Sequence, residues 1–394
     1  MAIATLLQPW TWFSTDKVLA LENWFKNRFN VSHAYSFNAG RSALLAILTS
    51  LELHEGDEVM LQAFTCVAVP NSVRWAGLLP KFVDIDASLN FDIRDAEKKL
   101  SPNTKALIVQ HTFGIPADMD KISEFCQKHE LYLIEDCAHS LGATYKDKLV
   151  GTFGDAAFFS FGRDKIISSI FGGVVITNDP SFGARMKDYR RRLPHPGFIW
   201  TFRQLMHPIA FAIILPLYSL GIGKLLLWLL QKLHVLSFPV YAQEKMGRQP
   251  RDFPKQLPAA LAQLALTQLG LVDQFNELRQ ALAHEYRKRL QVSSGFPPES
   301  RGAVYLRFPI LTARTEELQF QAKKAGMLLG NWYHNVIDPK GTDLAEVGYE
   351  AGSCPLAEKA ARTIINLPTY PTLSAKAFEE ICSFINKSYA QSTR

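Results

Sequence analysis

Between Glu58 and Asp179 short apolar runs alternate with stretches of helical spacing. The runs are "EVMLQAF", "PKFVDID", "KALIVQHT", "LYLIEDCA", "AAFFSFG" and "GGVVIT"; "FDIRDAEKKL" and "ADMDKISEFCQKH" are the helical patterns between them. Strands and helices in alternation predict a mostly parallel sheet covered by helices on both faces, an α/β fold. Beyond it, Leu257 to Leu290 carries apolar residues at helical spacing over a length that can bridge two domains. "AVYLRFPIL", a further helix and "SAKAFEEICSFINKSYA" then read as a small α+β C-terminal domain. The chain divides into an N-terminal segment (1–30), a large α/β domain (31–203), an apolar helical insert (204–245), and a linking helix with the small domain (246–394). It contains no internal repeat and no low-complexity segment.

The insert is the exception to a plain globular pattern. From Gln204 to Gly223 there is no Lys, Arg, Asp or Glu, and "KLLLWLLQKLHVL" follows. Pro208, Pro216, Gly221 and Gly223 break the run and Lys224 interrupts its continuation, which argues against a simple transmembrane helix. Two short apolar helices are expected instead. They either bury against a partner subunit or contact a membrane peripherally through residues 206–240, with Trp228, Arg190, Arg191, Arg192 and Arg203 toward the headgroups.

Composition narrows the function classes. The 394 residues suit two to three domains, and the net charge of +6 is modest. Part of that charge lies in "RMKDYRRRL", a predicted helix without the interleaved aromatics of single-strand binders, so no nucleic-acid partner is expected. Cys66, Cys126, Cys137, Cys354 and Cys382 have neither CxxC nor zinc-ligand spacing, so neither disulfides nor a metal is expected. The N-terminus has no export signal, and a cytoplasmic location follows.

Ligands of open α/β sheets sit at the carboxyl ends of the strands, and three of those ends carry unusual residues. In "SFNAGRSALLAIL", Gly40, Arg41 and Ser42 open a helix whose free N–H groups suit a phosphate; an ordinary helix start capped by Asn38 is the alternative. In "LIEDCAHS" an apolar strand ends in Glu135 and Asp136, with His139 just beyond. A carboxylate there either pairs with a protonated pyridine nitrogen or caps a following helix. In "FFSFGRDKIISSIFGGVVIT", Ser160 precedes Lys165 by five residues. A serine hydroxyl can bind phosphate, while a lysine withdrawn from water can react as a free amine and form a Schiff base. A solvated lysine at a turn is the plain alternative.

The order of phosphate-binding turn, strand-end Asp and Lys resembles fold-type I enzymes that use pyridoxal phosphate. "GRSALLAIL", "HTFGIPADMD", "LIEDCAHSLGATY", "GTFGDAAFFSFGRDK", "GGVVITND" and, near the C-terminus, "CPLAEKAARTIINLPTYPTLS" resemble the DegT/DnrJ/EryC1/StrS sugar aminotransferases. That resemblance implies pyridoxal 5′-phosphate held by Lys165, with Asp136 on its ring nitrogen and His139 against its ring or 3′-oxygen. Gly40, Arg41, Ser42 and Ser160 would bind the phosphate. Trp332, Tyr333 and His334 would face the sugar.

It also implies a homodimer, a keto-sugar substrate and an amino-acid donor such as glutamate. Other implied activities are sugar dehydration, which in some relatives goes with histidine in place of the lysine, or a non-catalytic partner at a membrane. This chain departs from the family pattern in two places. Cys66 stands in "FTCVAV" where an aromatic residue often stacks on the ring, leaving that role to Cys66 or Phe64. "RDFPKQL" replaces a segment that often reaches the second subunit's site, with Lys255 or Arg251 as substitutes. A single membrane crossing by the insert would separate sheet from small domain, against the shared site the family requires.

Overall fold

The computed structural model describes residues 1–218, 220–233, 235–291 and 295–390. Seven strands form its central sheet: β1 (His33–Phe37), β2 (Glu58–Gln62), β3 (Leu79–Val83), β4 (Thr104–Gln110), β5 (Tyr132–Asp136), β6 (Ala156–Ser160) and β7 (Gly173–Thr177), in the order β1-β7-β6-β5-β4-β2-β3. Only β7 runs against its neighbours. The strands read as unbroken apolar runs because both faces are covered. Val59, Leu61, Ala106 and Ile108 enter one core cluster while Met60, Leu107 and Val109 enter another, so the two-residue alternation sends apolar side chains to both sides.

This topology gathers the expected chemistry at one edge. Gln110 lies level with Asp136, Asp136 with Phe158, and β7 starts at Gly173 opposite both Ser160 and Phe37. Helix Gly40–Ser50 therefore begins beside the end of β6. A second convergence comes from far along the chain: Ile337–Asp338 pairs in parallel with Thr65–Cys66, setting Asp338 level with Cys66.

The predicted long helix is two, Ala259–Leu269 and Val272–Arg289, separated at Gly270 and Leu271. The first is nearly all buried and belongs to the sheet's core. The second leads to the small domain, where Phe308–Leu311 and Ile364–Leu367 pair antiparallel beneath helix Ala375–Ala390. The apolar stretch forms helices Phe198–Ile214 and Ile222–Lys232, with Pro208 inside the first. No helix among the described residues is long and apolar enough to cross a membrane.

"RMKDYRRRL" forms the end of helix Pro180–Arg192. Its Arg190 pairs with the buried Glu22 and its Arg185 Nε donates to the carbonyl of Ser50 at 2.7 Å, so part of the basic run serves packing. All five cysteines are free.

Candidate active site

A cavity of about 410 Å³ opens at the carboxyl edge of the sheet. Gly40, Arg41, Cys66, Asp136, His139, Ser160, Lys165, Trp332, Tyr333 and His334 all line it. Ser42 does not: its hydroxyl is fully buried and donates to Asn38 Oδ1 at 2.8 Å. Asn38 in turn is no helix cap. The cap position is Ala39, and Asn38 Oδ1 instead accepts from the Lys255 N–H at 2.9 Å, tying "RDFPKQL" to the end of β1.

Asp136 ends β5 and is 3% exposed. No helix follows for it to cap. One carboxylate oxygen accepts the Ala138 N–H at 2.9 Å, and the other has no hydrogen-bond partner among the described residues. Burial pushes this carboxyl up to about 6, against the Ala138 hydrogen bond and the positive charge of Lys165. Such a group calls for a cationic or N–H partner. Its neighbour Glu135 points the other way and is satisfied, accepting from Gly151, Phe153 and Gly154 N–H groups and facing His111 at 3.2 Å.

His139 is held between Phe113 and Trp332, with ring centres 6.0 Å and 5.4 Å away and nearly parallel planes. The Phe113 N–H donates to its Nδ1 at 3.3 Å, so a neutral ring carries its proton on Nε2. Burial, with Lys165 and Arg307 adding to it, holds His139 well below the ordinary histidine pKa. Its Nε2 lies 2.9 Å from Lys165 Nζ and 3.3 Å from Tyr333 Oη. Lys165 Nζ also stands 4.7 Å from the centre of the Trp332 ring.

The two candidates for stacking separate. Cys66 faces the cavity, and burial raises its thiol to about 11, so it stays a neutral thiol. Phe64 is fully buried behind it, edge-on to Phe113 and Tyr333, and does not line the cavity.

At the phosphate end the glycine matters. A Cβ on Gly40 would come within 2.8 Å of Ser160 Cβ, so only glycine lets the helix start approach that serine. Arg41 lines the cavity, but its guanidinium is paired with buried Glu244 and donates to the Pro239 carbonyl at 2.5 Å. Lys255 is paired with Asp252 and Arg251 is exposed; neither lines the cavity.

Arg163 remains, a residue not singled out from the sequence although it sits two places before the lysine. It donates to Ser237 Oγ at 2.5 Å, has no ion pair among the described residues, and its Nε lacks a partner. Burial lowers it to about 10. A cation withdrawn from water without a carboxylate needs an oxyanion. Arg163→Ala is expected to weaken pyridoxal phosphate about 10- to 100-fold while leaving pyridoxal itself little changed. Equilibrium binding of the two compounds measures the difference.

Asp338 was also missed, because only the pairing with Thr65–Cys66 brings it here. Its carboxyl, raised to about 7 by burial, lies 2.9 Å from His334 Nδ1 but out of line for a hydrogen bond.

An open buried carboxylate oxygen, a lysine beside a neutral imidazole, a glycine–serine cradle and an arginine without an ion pair among the described residues together fit pyridoxal 5′-phosphate.

The DegT/DnrJ/EryC1/StrS aminotransferase family model matches residues 2–198 and 231–386, leaving 199–230 without a counterpart. The GDP-perosamine synthase of Escherichia coli O157:H7 is 29% identical over 387 residues, covering 96% of this chain and 93% of that protein. A UDP-N-acetyl-3-dehydro-alpha-D-glucosamine 3-aminotransferase from Acidithiobacillus ferrooxidans is 38% identical over 173 residues, 43% of this chain and 47% of its own. Among solved structures, S. venezuelae DesV in complex with a ketimine intermediate superposes with a TM-score of 0.76 at 25% identity, over 98% of this chain and 93% of that one. Strand order, cavity residues and these matches agree: the chain belongs to the DegT/DnrJ/EryC1/StrS aminotransferase family, pyridoxal-phosphate-dependent enzymes of fold type I.

Proposed function

We propose that this enzyme transfers an amino group from an amino acid, glutamate, to a keto-sugar carried on a nucleotide, for a cell-surface polysaccharide or a secondary metabolite. The observation that carries the reading is the placement of Lys165 Nζ, 2.9 Å from His139 Nε2, in the cavity that Asp136 also lines. The GDP-perosamine synthase and UDP-sugar aminotransferase likenesses support the sugar acceptor.

Pyridoxal phosphate, when bound, supplies an electrophilic carbonyl and an electron-withdrawing ring. Lys165 provides the amine that holds it and afterwards the base that moves a proton at the substrate carbon. Asp136 keeps the ring nitrogen protonated by its charge. Gly40, Ser160 and Arg163 hold the phosphate, and Arg41 acts through its pair with Glu244 by fixing the wall that carries Pro239. His139, neutral, orients the lysine and lies against the ring. Trp332, Tyr333 and His334 contact the sugar. The apolar wall from Phe238 to Val240 excludes water.

The enzyme works in the cytoplasm as a homodimer, at the inner face of the membrane. Sedimentation of an active monomer at working concentration would overturn the dimer.

The test of the activity is spectroscopic: the purified protein should carry a visible absorption band that borohydride bleaches and that glutamate converts. Absence of the band after incubation with pyridoxal phosphate sinks the reading. Affinity for the cofactor should also fall as the pH drops below about 6. The carboxyl of Asp136 then takes up a proton in the empty site, and the charge that pairs with the ring nitrogen is lost. Asp136→Asn should flatten that part of the profile in a binding titration.

A further inference from the structure

The aminotransferase reading leaves the outer side of the apolar insert unused. Each insert helix turns one side inward; Trp200, Leu205, Ala210 and Ile214 of helix Phe198–Ile214 are buried. The other side is bare. Phe198, Ile199, Phe202 and Ile213 are exposed on the first helix, and Ile222, Leu225, Trp228 and Leu229 on the second. Spacing of three and four residues keeps each set on one side of its helix. The N-terminal helix Ala2–Leu6 packs on helix Phe198–Ile214 and adds Ile3, Leu7 and the 76% exposed Trp10. Soluble chains rarely leave apolar surface of this extent uncovered.

Charge selects the occupant. Between Asp188 and Glu244 the chain has no carboxylate, and its charged side chains are Arg190, Arg191, Arg192, Arg203, Lys224 and Lys232. Arg190 is engaged by Glu22. Arg203, Lys224 and Lys232 are exposed and make no ion pair among the described residues. Lys224 Nζ stands 5.4 Å from the Tyr218 ring centre and Lys232 Nζ 4.8 Å from that of Trp228, their stems laid along aromatic surface. A second copy docked by a two-fold axis would oppose these cations with more cations. Anionic headgroups would neutralise them. No helix among the described residues is long and apolar enough to cross, so the segments would lie in the plane of the bilayer. Residues 199–230 also have no counterpart in the family model, so the insert's share of this surface lies outside the matched family pattern.

We propose that this face, formed by helices Phe198–Ile214 and Ile222–Lys232 with the N-terminal helix, docks flat on an anionic lipid bilayer. The docked surface adjoins the cavity. Ser237, after the second helix, links Gln204 of the first to Arg163, and Phe238, Pro239 and Val240 then form cavity wall.

Flotation of the full-length enzyme with vesicles tests the proposal, independently of the reaction it catalyses. Vesicles containing phosphatidylglycerol should carry the protein up, phosphatidylcholine vesicles should carry much less, and high salt should weaken the binding. Lys224→Glu with Lys232→Glu should lower the bound fraction at least about tenfold. Leu225→Ser, Trp228→Ser and Leu229→Ser together should abolish flotation while leaving the sedimentation coefficient and turnover without vesicles unchanged. Failure of the unaltered enzyme to float overturns the proposal. So does a change of oligomeric state in the serine variant, which would assign the face to a second copy. Neither outcome touches the aminotransferase reading, whose spectral test needs no lipid.

Discussion

Lys165→Ala is expected to lower turnover by at least about 10³-fold while the protein remains folded. Lys165 is the lysine in the cavity that meets the neutral His139, and no second amine stands in that position. Lys245, the other lysine lining the cavity, donates to the Lys340 carbonyl at 2.8 Å and has neither that imidazole nor the Trp332 ring beside it. The side chain is partly exposed and its removal breaks no core packing, so circular dichroism and the melting temperature should change little. Single-turnover measurement with an amino donor distinguishes loss of chemistry from loss of binding. Retention of more than a tenth of the rate would assign the proton transfer elsewhere.

Asp136→Asn should move rate and stability in opposite directions. Without the carboxylate charge at the ring nitrogen, turnover should fall about 10²- to 10³-fold. In the cofactor-free protein the same change should stabilise. Burial raises this carboxyl from 3.8 to about 6, so the folded chain is penalised when Asp136 ionises. The sign follows from linkage: the penalty is absent below about pH 4, grows as pH rises through 6, and is complete above it. At pH 8 the relief amounts to about 3 kcal/mol, at about 1.4 kcal/mol per unit. Asparagine keeps an oxygen for the Ala138 N–H. Denaturant unfolding of the two empty proteins at pH 8 and pH 4 should show a gap that closes at the acid value. Equal stability at pH 8 would mean that the carboxylate is already satisfied without cofactor.

Stored cost of this kind is why the site could be read at all. An apolar strand that ends in Asp136 and a lysine set between a strand and a glycine pair are local oddities, visible without coordinates. The same holds for Gly40, whose missing side chain makes room for Ser160. Arg41 shows the limit. It is the arginine at the helix start, where a phosphate contact is expected, yet Glu244, more than two hundred residues later, takes its charge. Arg163, in plain sight beside the lysine, is a cavity cation that has a hydroxyl but no carboxylate paired with it among the described residues. Ser42 and Phe64 stand beside residues that face the cavity and turn away from it, which spacing alone does not reveal.

The sequence by itself determined the strands between Glu58 and Asp179, the lysine, aspartate and serine at their ends, and the uncharged insert, because burial and strand-end chemistry impress a periodic pattern on consecutive residues. Tertiary structure decided the rest. The split of Leu257–Leu290 at Gly270, the arrival of Asp338 beside Cys66, the pairing of Arg41 with Glu244 and the meeting of Arg163 with a serine rather than a carboxylate each depend on a segment remote in the chain. A charge is neutralised or left open by whichever group packing brings within reach, and that distance is not written in either residue's neighbourhood.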